Sequence, residues 1–273
     1  MISTDIVNKI NTNEILENLI KNKRVCFCGP SVTNVGSKLG NLIDSYDIVC
    51  RVNMHLPFDD KEDFGSRTDI MFLGAWPIYD GKLRKDLLKF DNPSSRYYSM
   101  KDDTKLIYFI DPIDNNSFRN NSYKDSDQCH HKSWDEFTDT FDNKKDIISY
   151  GTTNLFLSDE CSNYMKKYMK LDINFNKSVV NSGINSILTI LKHNPKELFI
   201  TGMNMYNYGK GGTLDNVFQK GSTDYYNMRH KIAKTNVTGH VYQVTLDFFK
   251  KLLIEYPNIK LDKELLQRFI YEK

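Results

Sequence analysis

The sequence predicts an α/β fold, a largely parallel central sheet flanked by helices, and three observations carry that expectation. Short apolar runs of strand length recur at 25–29, 47–52, 68–73, 105–110 and 146–150, each bounded by turn residues. A helix-compatible stretch at 36–43 fits between the first two, so residues 24–53 read as a compact βαβ unit with parallel strands and a right-handed crossover. A second loop–helix–strand unit runs from Val179 to Tyr206.

Taken in order, "NEILENLI" at 13–20 sets Ile15, Leu16, Leu19 and Ile20 at helical spacing, as an amphipathic helix laid beside the core requires. The stretch 112–145 is rich in Asn, Asp, Ser and Lys and reads as a long surface insertion. Asn181 and Ser182 can cap a helix whose apolar face is Ile184, Ile187, Leu188 and Leu191, with Pro195 ending it before a strand at 197–201. Residues 207–240 are rich in Gly, Asn and Tyr, as a mobile loop over a site would be. A helix beginning in "GHVYQVTLDFFKKLL" and a final one at 262–270 close the chain. With no internal repeat and no linker, 1–273 reads as a single domain.

Composition narrows the function. Forty per cent apolar residues suffice for a sizeable core, while 37 basic against 35 acidic residues leave a net charge of +2, without the surplus that nucleic-acid binding calls for. No run approaches the roughly 18 apolar residues of a membrane span, and a soluble, cytoplasmic protein is expected. Of the five cysteines, Cys26, Cys28 and Cys50 fall inside predicted strands, which argues against both a disulfide framework and a zinc site.

In open parallel sheets, ligands bind at the carboxyl ends of the strands. Gly29-Pro30-Ser31 follows the first strand and Asn53 ends the second, so together they can frame a nucleotide or phosphate; a plain connecting turn is the competing reading. Asn181-Ser182-Gly183 opens a helix and can offer free N–H groups to an anion, unless Ser182 serves only as a cap. Among the six histidines, His55, His130, His131, His193 and His230 read as surface residues. His240 stands between the Gly-rich loop and a strong helix, where it can take a proton from a hydroxyl. The Asp125-Ser126-Asp127 triplet lies in the polar insertion rather than after a strand and reads as chance, so no metal is expected.

"SKLGNLIDSYDIVCRVN" followed by "DFGSRTDIMFLG" resembles the large sialylmotif of glycosyltransferase family 29, with ordered matches at Leu39, Gly40, Ile43, Asp44, Asp47, Val49, Arg51, Asn53, Asp63, Gly65 and Thr68. "VVNSGINSILTIL" and "KELFITGMNMY" are similar to the small sialylmotif, and more so to the matching stretch of the bacterial sialyltransferases of family 42. "DYYN" at 224–227 resembles the short third motif, and His240 falls where the very small motif has its histidine.

The resemblance implies a Rossmann-like variant GT-A fold and an inverting, metal-independent sialyltransferase that needs no cofactor. Its partners would be a nucleotide-sugar donor, CMP-sialic acid, and a glycan acceptor. By position it implies a donor site of Gly29, Pro30, Ser31, Asn53, Asn181, Ser182, Gly183, Gly202, Tyr225 and Tyr226, with His240 as general base and Tyr206 on the leaving phosphate. The chain departs from the pattern at Pro30, often Asn in family 29, at Asp224 in place of a histidine, and at Thr245 in place of a glutamate. Val25 and Pro195 stand where the animal enzymes pair two cysteines. A transferase for another CMP-activated nonulosonic acid, and a catalytically impaired CMP- or glycan-binding protein, are the alternative expectations.

Overall fold

Strand β1 (Arg24–Cys28) is buried from Val25 onward on both faces, as a central strand of a parallel sheet must be, and its sequence is accordingly apolar without alternation. It pairs in parallel with β2 (Ile48–Val52) on one side and β6 (Glu197–Thr201) on the other. Beyond β2 lie β3 (Ile70–Leu73), β4 (Leu106–Phe109) and β5 (Ile148–Tyr150), and beyond β6 lies β7 (Ile259–Leu261). The structure, a computed structural model, describes residues 7–8, 10, 12–29, 34–52, 61–73, 104–109, 148–150, 182–203 and 242–271.

The resulting seven-stranded sheet has the order β5-β4-β3-β2-β1-β6-β7, and every pairing in it is parallel. The chain winds outward from β1 to β5, then returns to the other side of β1 and winds out again through β6 and β7. The reversal falls between β1 and β6. In an open α/β sheet, that is where the flanking connections part and leave a crevice above the carboxyl ends.

Helix α1 (Glu14–Ile20) is capped by Asn13, whose side chain accepts from the Leu16 amide at 3.1 Å, and it buries Leu16 and Ile20. Helix α4 (Ser182–Lys192) buries Ile184, Ile187, Leu188, Ile190 and Leu191 against β2 and β3. It stops where His193, Asn194 in the left-handed region and Pro195 turn the chain into β6. Helices α5 (Tyr242–Glu255) and α6 (Lys263–Tyr271) flank β7. One face of the sheet packs Val25, Phe27, Cys50, Ile70 and Phe72 with α1, α4 and α5, each large apolar side chain contributing about 1.5–3 kcal/mol on burial. The other face holds Cys26, Cys28, Ile43, Tyr46, Val49 and Phe199, with the Tyr46 ring stacked on Phe199 at 5.6 Å.

Three expectations change. Helix α2 (Gly40–Asp44) is shorter than the predicted 36–43, because Gly36 (φ +79°) and Lys38 (φ +54°) take left-handed backbone angles and hold 36–39 out of the helix. His193 is buried rather than on the surface: its Nδ1–H donates to the Thr189 carbonyl at 2.7 Å, and its Nε2 accepts from the Asn13 amide at 3.0 Å. It thereby ties the end of α4 to the start of α1. Strand β7 and the single turn α3 (Lys61–Phe64) were not predicted. The insertion 112–145, the loop 207–240 and the other five histidines lie outside the described residues.

Candidate functional site

At the β1–β6 switch point the strand ends meet glycine to glycine. The Gly29 amide donates to the Thr201 carbonyl at 2.8 Å, extending the ladder one residue past β1. A Cβ on Gly29 would fall 2.3 Å from the Gly202 carbonyl oxygen, and one on Gly202 would fall 2.5 Å from the Gly29 carbonyl oxygen. Gly202 also has φ +67°, so both space and backbone angle require glycine there. The missing side chains let the two loops pack backbone against backbone as they leave the sheet.

Two buried polar side chains line this junction. Asn34, 1 % exposed, accepts at Oδ1 from the Thr201 hydroxyl at 2.8 Å, while its Nδ2 has no partner among the described residues. Asp262, just past β7, accepts from the Gly202 amide at 3.2 Å and from the Leu265 amide at 2.7 Å, and so caps α6 while fixing the turn after β6.

Between β2 and β3, described residues that matched the large sialylmotif form one connected framework. Arg51, 3 % exposed at the end of β2, donates through Nη2 to the carbonyls of Phe64 (2.7 Å) and Arg67 (3.0 Å) and through Nε to the Thr68 hydroxyl (3.0 Å). Asp44, at the end of α2, accepts from the Ser66 amide (2.8 Å), the Ser66 hydroxyl (2.9 Å) and the Arg67 amide (3.1 Å). Gly65 takes φ +71°, and a Cβ on it would lie 2.6 Å from the Asp44 carboxylate. Asp63 accepts from the amides of Gly36 and Lys38, which pins the loop that follows β1. Gly40 lets α2 pack on α3, since a Cβ there would overlap the Lys61 carbonyl. Asp47 accepts from the Arg24 amide at 2.8 Å and fixes the start of β1. In the described structure, Asp44 and Asp47 fix the chain where it enters β1, β2 and β3 at the amino edge of the sheet, while Asp63 holds the loop that leaves β1 on the carboxyl side.

The sequence reading missed several members of this framework. Arg67 donates to the carbonyls of Asp44 (2.8 Å), Tyr46 (2.9 Å) and Asp47 (3.2 Å) and to the Asp69 carboxylate (2.9 Å). Asp69 in turn accepts from the Val49 amide at 2.8 Å and from Lys105 at 2.9 Å. The available signal was the run "SRTD" inside the matched segment, where charged residues flank a predicted strand.

Beneath the turn, the Cys28 thiol accepts from the Cys26 thiol and faces the Arg51 guanidinium, and both hold its pKa below the usual thiol value. Burial pushes Cys26 and Cys50 up instead. Among the described residues, no three His, Cys, Asp or Glu side chains gather as a metal site would require, and no helix is long and apolar enough to cross a membrane.

Of the expected donor-site residues, the fold brings Gly29 and Gly202 into contact. Ser182 opens α4 and Gly183 lies buried in its first turn. Since α4 leads straight into β6 and runs back along the sheet, its N-terminus is on the same carboxyl edge. Pro30, Ser31, Asn53, Asn181, Tyr206, Tyr225, Tyr226 and His240 lie outside the described residues.

Fold and site together define an open, all-parallel α/β protein whose switch point falls between β1 and β6. No protein-family model matches the chain, and no curated protein matches it. Among solved structures it is similar to a mammalian sialyltransferase at 13 % identity and a TM-score of 0.46, covering 96 % of this chain and 78 % of that one. It is also similar to a variant of the sialyltransferase CST-II in complex with CMP, at 15 % identity and a TM-score of 0.45, covering 88 % of this chain and 80 % of that one. Overlaps of this quality assign no residue a role.

Proposed function

We infer that the chain is a sialyltransferase of the variant GT-A type, moving sialic acid from CMP-sialic acid to a glycan hydroxyl with inversion and without a metal. The observation that supports this best is the connected framework of Asp44, Arg51, Asp63, Gly65 and Thr68. Among the described residues, the positions that resemble the large sialylmotif are one physical unit between β2 and β3, and its Asp63 holds the loop that leaves β1 next to the switch point where Gly29 meets Gly202.

In this reading the nucleotide lies across the ends of β1 and β6, against the turn of Gly29, Pro30 and Ser31, with Asn53, Gly202, Tyr225 and Tyr226 completing its walls. Asn181, Ser182 and Gly183 set the N–H groups of α4 toward the anionic part of the donor. The acceptor oxygen attacks the anomeric carbon as the bond from that carbon to the CMP phosphate oxygen breaks. His240 takes the hydroxyl proton, a contribution of about 10²–10⁴-fold where a general base is well placed. Tyr206 hydrogen-bonds the departing phosphate, whose other partner is open because Asp224 replaces the motif histidine.

Asp224 and Thr245 favour one second reading, a protein that binds CMP or glycan without turnover. Incubation with CMP-sialic acid and a galactoside panel in EDTA, following CMP release and product mass together, separates the two. Sialylated product supports transfer. CMP binding with neither release nor product supports the binding protein, and product only from a different CMP-nonulosonic acid moves the donor assignment.

A further inference from the structure

Asn34 is the one polar side chain at the switch point, among the described residues, with a buried atom left unsatisfied. Its Oδ1 is committed, since the Thr201 hydroxyl donates to it at 2.8 Å from the last residue of β6. That bond leaves the Nδ2 end at the junction, 3.2 Å from the point a Cβ on Gly202 would occupy. The loop bearing it is fixed from the other side, where Asp63 holds the Gly36 and Lys38 amides. A buried N–H without an acceptor is costly, and a side chain held this firmly cannot turn away to find one.

We propose that Asn34 is a specificity-determining contact for the donor: Thr201 orients its amide, and Nδ2 donates a hydrogen bond to an acceptor oxygen of the bound nucleoside monophosphate. This rests on the reading that a CMP-activated donor binds at this edge. Asn34 stands apart from the positions that carry the family resemblance, so the motif comparison gives no reason to single it out. Among the described residues the donor is unpaired, and in this reading the ligand completes it. A ligand offering a hydrogen-bond donor at that point would meet another N–H and be rejected.

The test is calorimetric binding of CMP and of cytidine to the full chain. Asn34→Asp keeps the acceptor for Thr201 and replaces the Nδ2 donor with an oxygen, and CMP affinity should fall at least tenfold at pH 8. Relative to wild type at each pH, affinity should recover as the pH falls and the new carboxyl takes up a proton it can donate. Asn34→Leu should bind weakly at every pH. Thr201→Val removes the same internal bond but keeps Nδ2, and should lose less than Asn34→Asp, which holds even if Asn34→Leu folds poorly. A loss seen with CMP but not with cytidine places the acceptor on the phosphate; equal losses place it on the nucleoside. Asn34→Asp that binds CMP within threefold of wild type overturns the contact alone and leaves Nδ2 to an ordered water. Wild-type protein that binds no CMP overturns the donor reading on which the contact rests.

Discussion

Substituting alanine at Gly202 and at Gly36 separates two costs that usually come together. Both glycines have positive φ, +67° and +79°, so either alanine bears the left-handed backbone cost of about 1–2 kcal/mol. At Gly36 nothing lies within 4 Å of the new Cβ, and that cost stands alone. At Gly202 the Cβ falls 2.5 Å from the Gly29 carbonyl oxygen, a backbone atom anchored in the β1–β6 ladder, so the strand ends must separate. Overpacking of this kind adds about 1–3 kcal/mol. With roughly 2–4 °C of melting temperature per kcal/mol for chains of this size, Gly202→Ala should melt at least about 2 °C below Gly36→Ala. Paired thermal denaturation at one pH decides it. Equal melting temperatures for the two variants would refute the close approach of β1 and β6 at the site.

Other substitutions test the remaining parts. Arg51→Met should destabilise the chain by about 2–5 kcal/mol in urea titrations, because hydrogen bonds from a charged donor carry about 1.5–3 kcal/mol each; Arg51→Lys should not restore it, lacking the planar fork. His193 is held neutral by burial, with a pKa below its ordinary value, so the unfolded chain takes up the proton first. Its contribution is full above the unfolded value of about 6.5, declines as pH falls toward the lower folded value and is lost below it. The stability of His193→Gln should therefore depend less on pH between 7 and 5, and parallel curves for variant and wild type would contradict this. On the proposed mechanism, His240→Ala abolishes transfer with little change in CMP affinity; retained turnover in a product assay would remove His240 as the base.

Much of the sheet was legible because its central strands are buried on both faces. Runs such as Val25–Cys28 and Ile48–Val52 have no polar alternation to obscure them, and Gly, Pro and Asp punctuate their ends. Strand β7 escaped because it is three residues at an edge with only Ile259 buried, too short for any periodicity. The shortened α2 and the buried His193 depended on partners far along the chain: Asp63 reaches back to Gly36, and His193 reaches Asn13. For the site, Gly29 and Gly202 were legible as the ends of strands, and the motif residues were legible as a pattern. The pattern gave their identity but not their work, since the bonds of Asp44 to Ser66 and of Arg51 to Phe64 exist only once the sheet edge is assembled. Asn34 and Asp262 had no signal, because each acts through the turn after β6, distant in sequence from both.

The most direct test of the central claim is a crystal structure of the full chain with CMP. The account predicts the nucleotide across the carboxyl ends of β1 and β6, its phosphate beside the bare backbone of Gly29 and Gly202 and the N-terminus of α4. A nucleotide bound elsewhere on the fold, or no bound nucleotide at millimolar CMP, would contradict it.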